Sequence, residues 1–400
     1  MSNRTFLTWF AVGHLANDWP IAALWLIVPA AGLAMELSPA EVGLLFTIFS
    51  IGGALAYLPA GILSDHVSNR GRLLVATFWW VGIGYALAAM AQGFWSLALL
   101  LAVAGMGNAA WHPIATGVLT RDSRDRRAHA LGIHAIGGSL AEVLAPLSVG
   151  FLLAYVDWRG VLVISVGPTV AVGICFIWIA RAVPLVERTT MSRQAMLDLL
   201  HSWRQGSGLR IVAMICFYNM ALIALLSMIP LYLASAHELS ASTIGIIFSA
   251  LLVIGALAQP WVGRISDIAG RQPVLVIGNL TAALASAVLV LEPSFWGMIA
   301  TMAVAVASMD AIRAAMLAAA VDHTDSYEGT TLGLAFVLMD GIGAIGAVLA
   351  GLAAGLSWQH MFGLAASFSL VAAALALLTT FRATTNDSTA GAATMQDGDR

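Results

Sequence analysis

Gly61-Ile62-Leu63-Ser64-Asp65, running on to Arg70-Gly71-Arg72, and Gly263-Arg264-Ile265-Ser266-Asp267, running on to Gly270-Arg271, are two copies of one short charged signature. Each falls where one long apolar run ends and the next begins. In a chain with 60% hydrophobic and only 10% charged residues, such a spot reads as a tight turn at the surface between two buried segments. Its repetition, at 61 and again at 263, marks an internal duplication.

Outward from these turns, the composition places the chain in a bilayer. A mean hydropathy of +0.89 is more apolar than a water-soluble core of ordinary proportions can absorb. A helix crossing the hydrocarbon takes about 20 apolar residues, and twelve runs of that kind are legible, at roughly 5–33, 39–64, 73–92, 94–120, 128–156, 159–181, 209–236, 240–263, 273–291, 294–321, 328–356 and 358–381. Continuous runs, rather than short segments alternating with period two, exclude a membrane barrel and leave helices. The expected fold is an all-α integral membrane protein of twelve transmembrane helices in two pseudo-symmetric six-helix bundles.

All 18 basic residues are arginine. If the helices alternate, Arg4, Arg70, Arg72, Arg121, Arg124, Arg126, Arg127, the Arg181–Arg210 group, Arg264, Arg271 and Arg382 share one side, with Arg159 the exception opposite. The positive-inside rule then puts both termini in the cytoplasm of a multi-pass protein of the bacterial cytoplasmic membrane. A net charge of −3 implies no strongly charged partner, and no arginine cluster is interleaved with aromatics as nucleic-acid binding requires. Cys175 and Cys216 form no disulfide framework or metal-ligand spacing, so no metal and no cofactor are expected. The first run contains Asp18 and lacks a small-residue cleavage site, so no secretory signal is expected.

Residues 1–181 and 209–382 read as the two bundles, 182–208 as a cytoplasmic linker and 383–400 as a disordered cytoplasmic tail. Within the linker, Met196, Leu197, Leu199, Leu200 and Trp203 recur at helical spacing, the pattern of a short amphipathic helix on the membrane surface. The halves match at one offset: Ser38 to Gly43 with Ser240 to Gly245, Phe46 with Phe248, and Gly53-Ala54-Leu55 with Gly255-Ala256-Leu257. Two facing repeats naturally enclose a midplane cavity that opens to either side by rocking.

The turn pattern G-x-x-x-D-x-x-G-R resembles the loop signature of the major facilitator superfamily, and the resemblance spans nearly the whole chain. The second copy keeps the superfamily spacing, while the first has Asp65 three residues further from its glycine, which implies latches of unequal weight. More narrowly, His14-Leu15-Ala16-Asn17-Asp18, Gly105-Met106-Gly107 with Trp111-His112-Pro113, and Gly137-Gly138 with Ala145-Pro146-Leu147 resemble the fosmidomycin-resistance group of bacterial efflux proteins. Glu142 departs from that group's pattern. The resemblance implies a secondary transporter, not an enzyme, acting as a monomer on a small-molecule substrate and surrounded by membrane lipid.

A charge near the bilayer centre costs roughly 2.5–3.5 kcal/mol on insertion scales, so each needs a partner, a wet cavity or a neutral state. His14, Asn17 and Asp18 share one helix face by their i, i+3, i+4 spacing. Asp18, Glu142, Asp340 and His14 are candidates for proton coupling. The alternative for the first cluster is a polar tie between helices. His112 before Pro113 and Arg313, its counterpart 201 positions on, are candidate substrate contacts with Asn17, Asp310 and His134. A local Asp310–Arg313 pair is the plainer reading of that site. Gly61, Asp65, Arg70, Arg72, Gly263, Asp267, Gly270 and Arg271 are candidate gating residues, or turn formers alone. With no lysine, no Walker signature exists and gradients must supply the energy. Proton-coupled efflux of a drug-like or anionic compound is the leading expectation. The alternatives are proton-coupled metabolite uptake and a non-transporting sensor on the same fold.

Overall fold

The computed structural model describes residues 3–122, 127–185, 194, 197, 201, 203–204, 206–323 and 328–381. The 383–400 tail and most of the 182–208 linker lie outside the described residues, as do the side chains of Asp65, Arg121, Arg124, Arg126 and Arg127. Twelve helices are long and apolar enough to cross a membrane: α1 Arg4–Ala34, α2 Pro39–Ser64, α3 Arg70–Ala88, α4 Phe94–Thr120, α5 His129–Leu152, α6 Trp158–Ala182, α7 Ser207–Ser235, α8 Ala241–Ala269, α9 Arg271–Leu289, α10 Phe295–Asp322, α11 Gly333–Leu356 and α12 Trp358–Leu378. Leu55 and Leu257, matched positions of α2 and α8, are exposed and belong to the apolar belt that lipid covers.

One boundary corrects the sequence reading. The Gly263 to Asp267 signature is not a turn: α8 runs through it and ends only at Gly270, whose φ of 92° is open to glycine. In the first copy the helix likewise continues to His66, and the turn is Val67, Ser68 and Asn69. Asn69 caps α3 by accepting from the Arg72 amide at 3.1 Å, whereas α9 has no side-chain cap. The aspartates are thus carried on last helical turns. Of the linker stretch, Leu197 is exposed and Trp203 is buried with its edge toward the His323 ring.

The opposite end is built from a repeated hairpin. Glu36, Glu238 and Glu292 end α1, α7 and α9 in the left-handed region, at φ 55°, 53° and 51°. Ser38 then caps α2 in a reciprocal capping box with Glu41, and Asp157, Ser240 and Ser357 cap α6, α8 and α12.

Within the first bundle α1 packs on α5 and α4 on α2 and α3; in the second, α8 packs on α10 and α9 on α12 and α10. Between bundles the main contacts are α2 with α11 and α5 with α8, pairs that the duplication interchanges. Glycine sets both crossings. A Cβ at Gly43 would stand 2.8 Å from the Ala347 carbonyl carbon, and one at Gly351 2.8 Å from Ala40 Cα. A Cβ at Gly150 would stand 2.8 Å from Gly245 Cα, and one at Gly245 3.0 Å from the Pro146 carbonyl oxygen. Backbones this close pack without side chains between them. Thr47 and Ser249 stitch the crossings by donating to the Ala344 and Val143 carbonyls at 2.8 and 2.9 Å. Toward the arginine-rich end, a Cβ built at Gly132 of α5 or Gly333 of α11 meets open space.

Overfilling such a contact costs about 1–3 kcal/mol. Gly43→Val is therefore expected to unseal the glycine end. With Cys175 and Cys216 replaced by serine, a cysteine at Leu26, buried beside a cavity of about 150 Å³ at that end, should react with a membrane-impermeant maleimide several-fold faster. Unchanged labelling would contradict the seal.

Candidate functional site

The first polar centre is built on α1. One helical turn separates His14 from Asp18, and Nε2 of the one lies 3.0 Å from Oδ2 of the other. Oδ1 of Asp18 faces three further nitrogens: Asn17 Nδ2 at 3.0 Å, Asn108 Nδ2 at 3.2 Å and His112 Nε2 at 3.4 Å, the last two from α4. Asn17 and Asn108 also cross-link α1 to α4, because each amide donates to the other's main-chain carbonyl, at 3.3 and 2.9 Å. Gly137 and Gly138 admit His14 against α5: a Cβ at Gly138 would be 2.7 Å from the imidazole. There His14 stacks on His134 at 4.2 Å, and its Nδ1 donates to the His134 carbonyl at 2.8 Å.

That last bond decides the hydrogen inventory. A carbonyl oxygen only accepts, so Nδ1 carries the hydrogen, and a neutral ring would turn a lone pair on Nε2 toward the carboxylate. At 3.0 Å two acceptors require one shared proton, on Nε2 or on Oδ2. The two imidazoles and the carboxylate lie within 4.8 Å of one another, as ligands of a cation do. The N–H groups crowded on Oδ1 are instead the surroundings of an anion.

The second centre straddles the bundles. Arg313 of α10 donates from Nη1 to Glu142 Oε1 of α5 at 3.0 Å, and its Nη2 lies 3.1 Å from Asp310 Oδ1 one turn earlier, an ion pair without hydrogen-bond alignment. Glu142 thus has a permanent countercharge beside it, and it comes from the opposite bundle. Asp340 accepts from Tyr57 of α2 at 2.7 Å, again across the bundles. It sits in a π-helical turn, Leu338–Gly343, where Asn219 of α7 donates to the Met339 carbonyl at 2.7 Å. Tyr57 stacks on Phe336, and its ring is 6.4 Å from that of His112, so the two centres adjoin.

The Major Facilitator Superfamily model matches residues 10–241 and 211–395. The chain belongs to the Major Facilitator Superfamily. Among its relatives are a protein of Haemophilus influenzae named provisionally for metabolite transport, 26% identical over 68% of this chain and 69% of its own, and a Cupriavidus pinatubonensis protein named provisionally a 4-methylmuconolactone transporter, 26% identical over 70% and 66%. A Helicobacter pylori protein, named provisionally a sugar efflux transporter, is 33% identical over 32% of each chain. In fold, the chain is similar to a bacterial homolog of the human lysosomal transporter Spinster, crystallised inward-facing and unoccupied, with a TM-score of 0.81 at 17% identity over 94% of this chain and 97% of that one. It is also similar to the nucleoside transporter NupG, at 0.72 and 13% over 96% and 100%. This superfamily member is a membrane transporter, not an enzyme.

Its twelve helices bring together His14, Asn17, Asp18 and His112 in one centre and Glu142, Asp310 and Arg313 in the other. Asn17, Asp310 and His134 are buried. At the turns, Arg70 is buried and donates from Nε to the Ser64 carbonyl at 2.8 Å, while Arg72 is exposed. Arg271 holds Asp267 at 2.5 Å, Ser266 at 3.1 Å and Asp322 of α10 at 2.9 Å. Those bonds tie helices of one bundle. Gly61 and Gly263 face Pro113 and Ala314 at ordinary contact distance, 3.8 and 3.9 Å.

Asn108, Tyr57 and Asp322 escaped the sequence reading. Asn108 could have been found, since it lies one turn before His112 as His14 lies one turn before Asp18. Asn108→Ala leaves both Asp18 and the Asn17 carbonyl short of a donor. It is expected to lower stability by about 1–3 kcal/mol, read as a lower unfolding temperature in detergent than Ser367→Ala, which removes an exposed hydroxyl of α12.

Proposed function

We propose that this transporter is a proton-coupled carrier of a small organic solute with an acidic group, working by alternating access. The observation that carries the reading is the His14–Asp18 contact, which needs a proton between two acceptors and sits partly exposed. A bound proton in a mobile cavity is the element that couples a solute to a gradient. Arg313, on α10 at the bundle interface, supports an acidic group on the solute. The arginine-rich end supports a cytoplasmic placement of both termini in a bacterial plasma membrane, which makes the glycine-sealed end external.

Direction follows from how proton and solute bind. If they exclude each other, an inward proton gradient exports the solute, as the resemblance of His14 to Asp18 and of Trp111-His112-Pro113 to the fosmidomycin-resistance group supports. If they bind together, the gradient imports it, and the likeness to proteins named for metabolite and 4-methylmuconolactone transport supports that second reading.

In proteoliposomes with an imposed pH gradient, a panel of carboxylates, phosphonates and sugars should yield a substrate accumulated at least tenfold. Asp18→Asn and His14→Ala should abolish gradient-driven accumulation while sparing counterflow of labelled for unlabelled substrate. Full accumulation in both variants would contradict the coupling assignment, and the absence of any counterflow in the wild type would favour a sensor.

A further inference from the structure

Asp18 uses its two oxygens differently. Oδ1 is loaded with amide donors, Asn17 Nδ2 at 3.0 Å and Asn108 Nδ2 at 3.2 Å, whereas among the described residues Oδ2 meets only His14 Nε2, at 3.0 Å. The His14 ring is held in that direction: its Nδ1 donates to the His134 carbonyl at 2.8 Å, and it stacks on the His134 ring at 4.2 Å. A neutral His14 therefore presents a lone pair, not an N–H, to the carboxylate. From α4, His112 brings a second Nε2 to 3.4 Å from the same carboxylate. Among the described residues its remaining side-chain contacts are with the rings of His14, Trp111 and Tyr57, which leaves Nδ1 free to carry the hydrogen and Nε2 the lone pair.

We infer that these three side chains form a binding site for one divalent transition-metal ion of the zinc, cobalt and nickel class, ligated by Nε2 of His14, Nε2 of His112 and Oδ2 of Asp18. Lone pairs facing one another at 3.0 Å require a cation between them, and a metal ion meets that need as a proton does. The spacing fits. Such ions take nitrogen and oxygen ligands at about 2.0–2.2 Å, so two ligand atoms of a tetrahedral shell stand about 3.4 Å apart. The imidazole contacts to the carboxylate are 3.0 and 3.4 Å, and all three groups lie within 4.8 Å of one another. Rotation of the His112 ring, which no hydrogen bond at Nδ1 restrains, closes the remainder.

The chemistry of the set selects the ion. Two imidazoles with one carboxylate suit zinc, cobalt and nickel, whereas magnesium and calcium prefer oxygen alone. Behind the ligands stand the groups that orient them: a main-chain carbonyl on His14 Nδ1, and two side-chain amides on Oδ1. Three protein ligands leave a fourth position open to water or an anionic oxygen. The side chains of His14, Asp18 and His112 are 13%, 16% and 23% exposed, so the site is not sealed. Residue spacing alone hides it, because the third ligand comes from a second helix. The site itself does not depend on proton coupling. Its effect on transport does: if His14 and Asp18 hold the coupling proton, as proposed above, a bound metal ion occupies the proton's place and stalls gradient-driven accumulation.

The test uses the purified full chain in nanodiscs, without a polyhistidine tag and stripped by a chelator, with zinc as the probe. Calorimetry should show one equivalent of zinc bound, and X-ray absorption of the bound zinc should show two imidazoles among its ligands. Magnesium and calcium in large excess should not compete. His112→Ala and Asp18→Asn should each lose at least tenfold in zinc affinity. His66→Ala and His360→Ala, which remove exposed imidazoles elsewhere, should lose nothing. His112→Gln serves should His112→Ala fail to fold. No saturable binding, binding that both His112 variants retain, equal competition by magnesium, or a bound zinc without imidazole ligands would each overturn the inference. In proteoliposomes, zinc should abolish gradient-driven accumulation and a chelator should restore it. Zinc held through His112 with accumulation undiminished would keep the metal site and remove the coupling proton from His14 and Asp18. No zinc binding, alongside accumulation that still needs Asp18, would sink the metal site and leave proton coupling standing.

Discussion

A charge cannot stand alone in hydrocarbon, and the interior of this transporter is arranged around that cost. Asp18 is surrounded by imidazoles and amide donors of its own bundle, and Arg313 is paired with one carboxylate of its own bundle and one from the other. Each answer has a mechanical consequence. The first ties α1 to α4 and α5 and makes a rigid centre. The second ties one bundle to the other with a bond that must break whenever they rock apart.

The glycine crossings supply the complementary constraint. Where Gly43, Gly150, Gly245 and Gly351 bring backbones together, little besides close packing and a few hydroxyl bonds holds the bundles. Packing of that kind is reversible without stranding a charge. Close apolar packing thus lies at one end, and the ionised groups lie in the middle. The duplication explains why there are two crossings: α2 meeting α11 and α8 meeting α5 are one contact, repeated.

Much of this was legible in the residues. Helical spacing put His14, Asn17 and Asp18 on one face, and apolar run length located all twelve helices, because both depend on neighbours in sequence. The Glu142–Arg313 and Tyr57–Asp340 bonds were not legible, since each joins residues of opposite halves whose approach depends on helix rotation and bundle docking. The turn signature misled in one respect. Its glycine and aspartate suggested a loop, but α8 continues through them because only Gly270 has the backbone freedom to stop it. The π-helical turn at Asp340 left no mark beyond its glycines.

The relation between the two centres turns on whether a proton resides between His14 and Asp18. Nitrogen-15 NMR of the full-length transporter in nanodiscs, with labelled histidine assigned by His14→Gln, reads this bond directly. In the substrate-free protein near neutral pH, a His14 ring in contact with a protonic hydrogen on the Nε2 side is expected, with both nitrogens shifted as in a protonated or strongly hydrogen-bonded imidazole, reverting to a free neutral pattern in Asp18→Ala. A wild-type spectrum with a bare, unbonded Nε2, unchanged by the loss of Asp18, would contradict the shared proton.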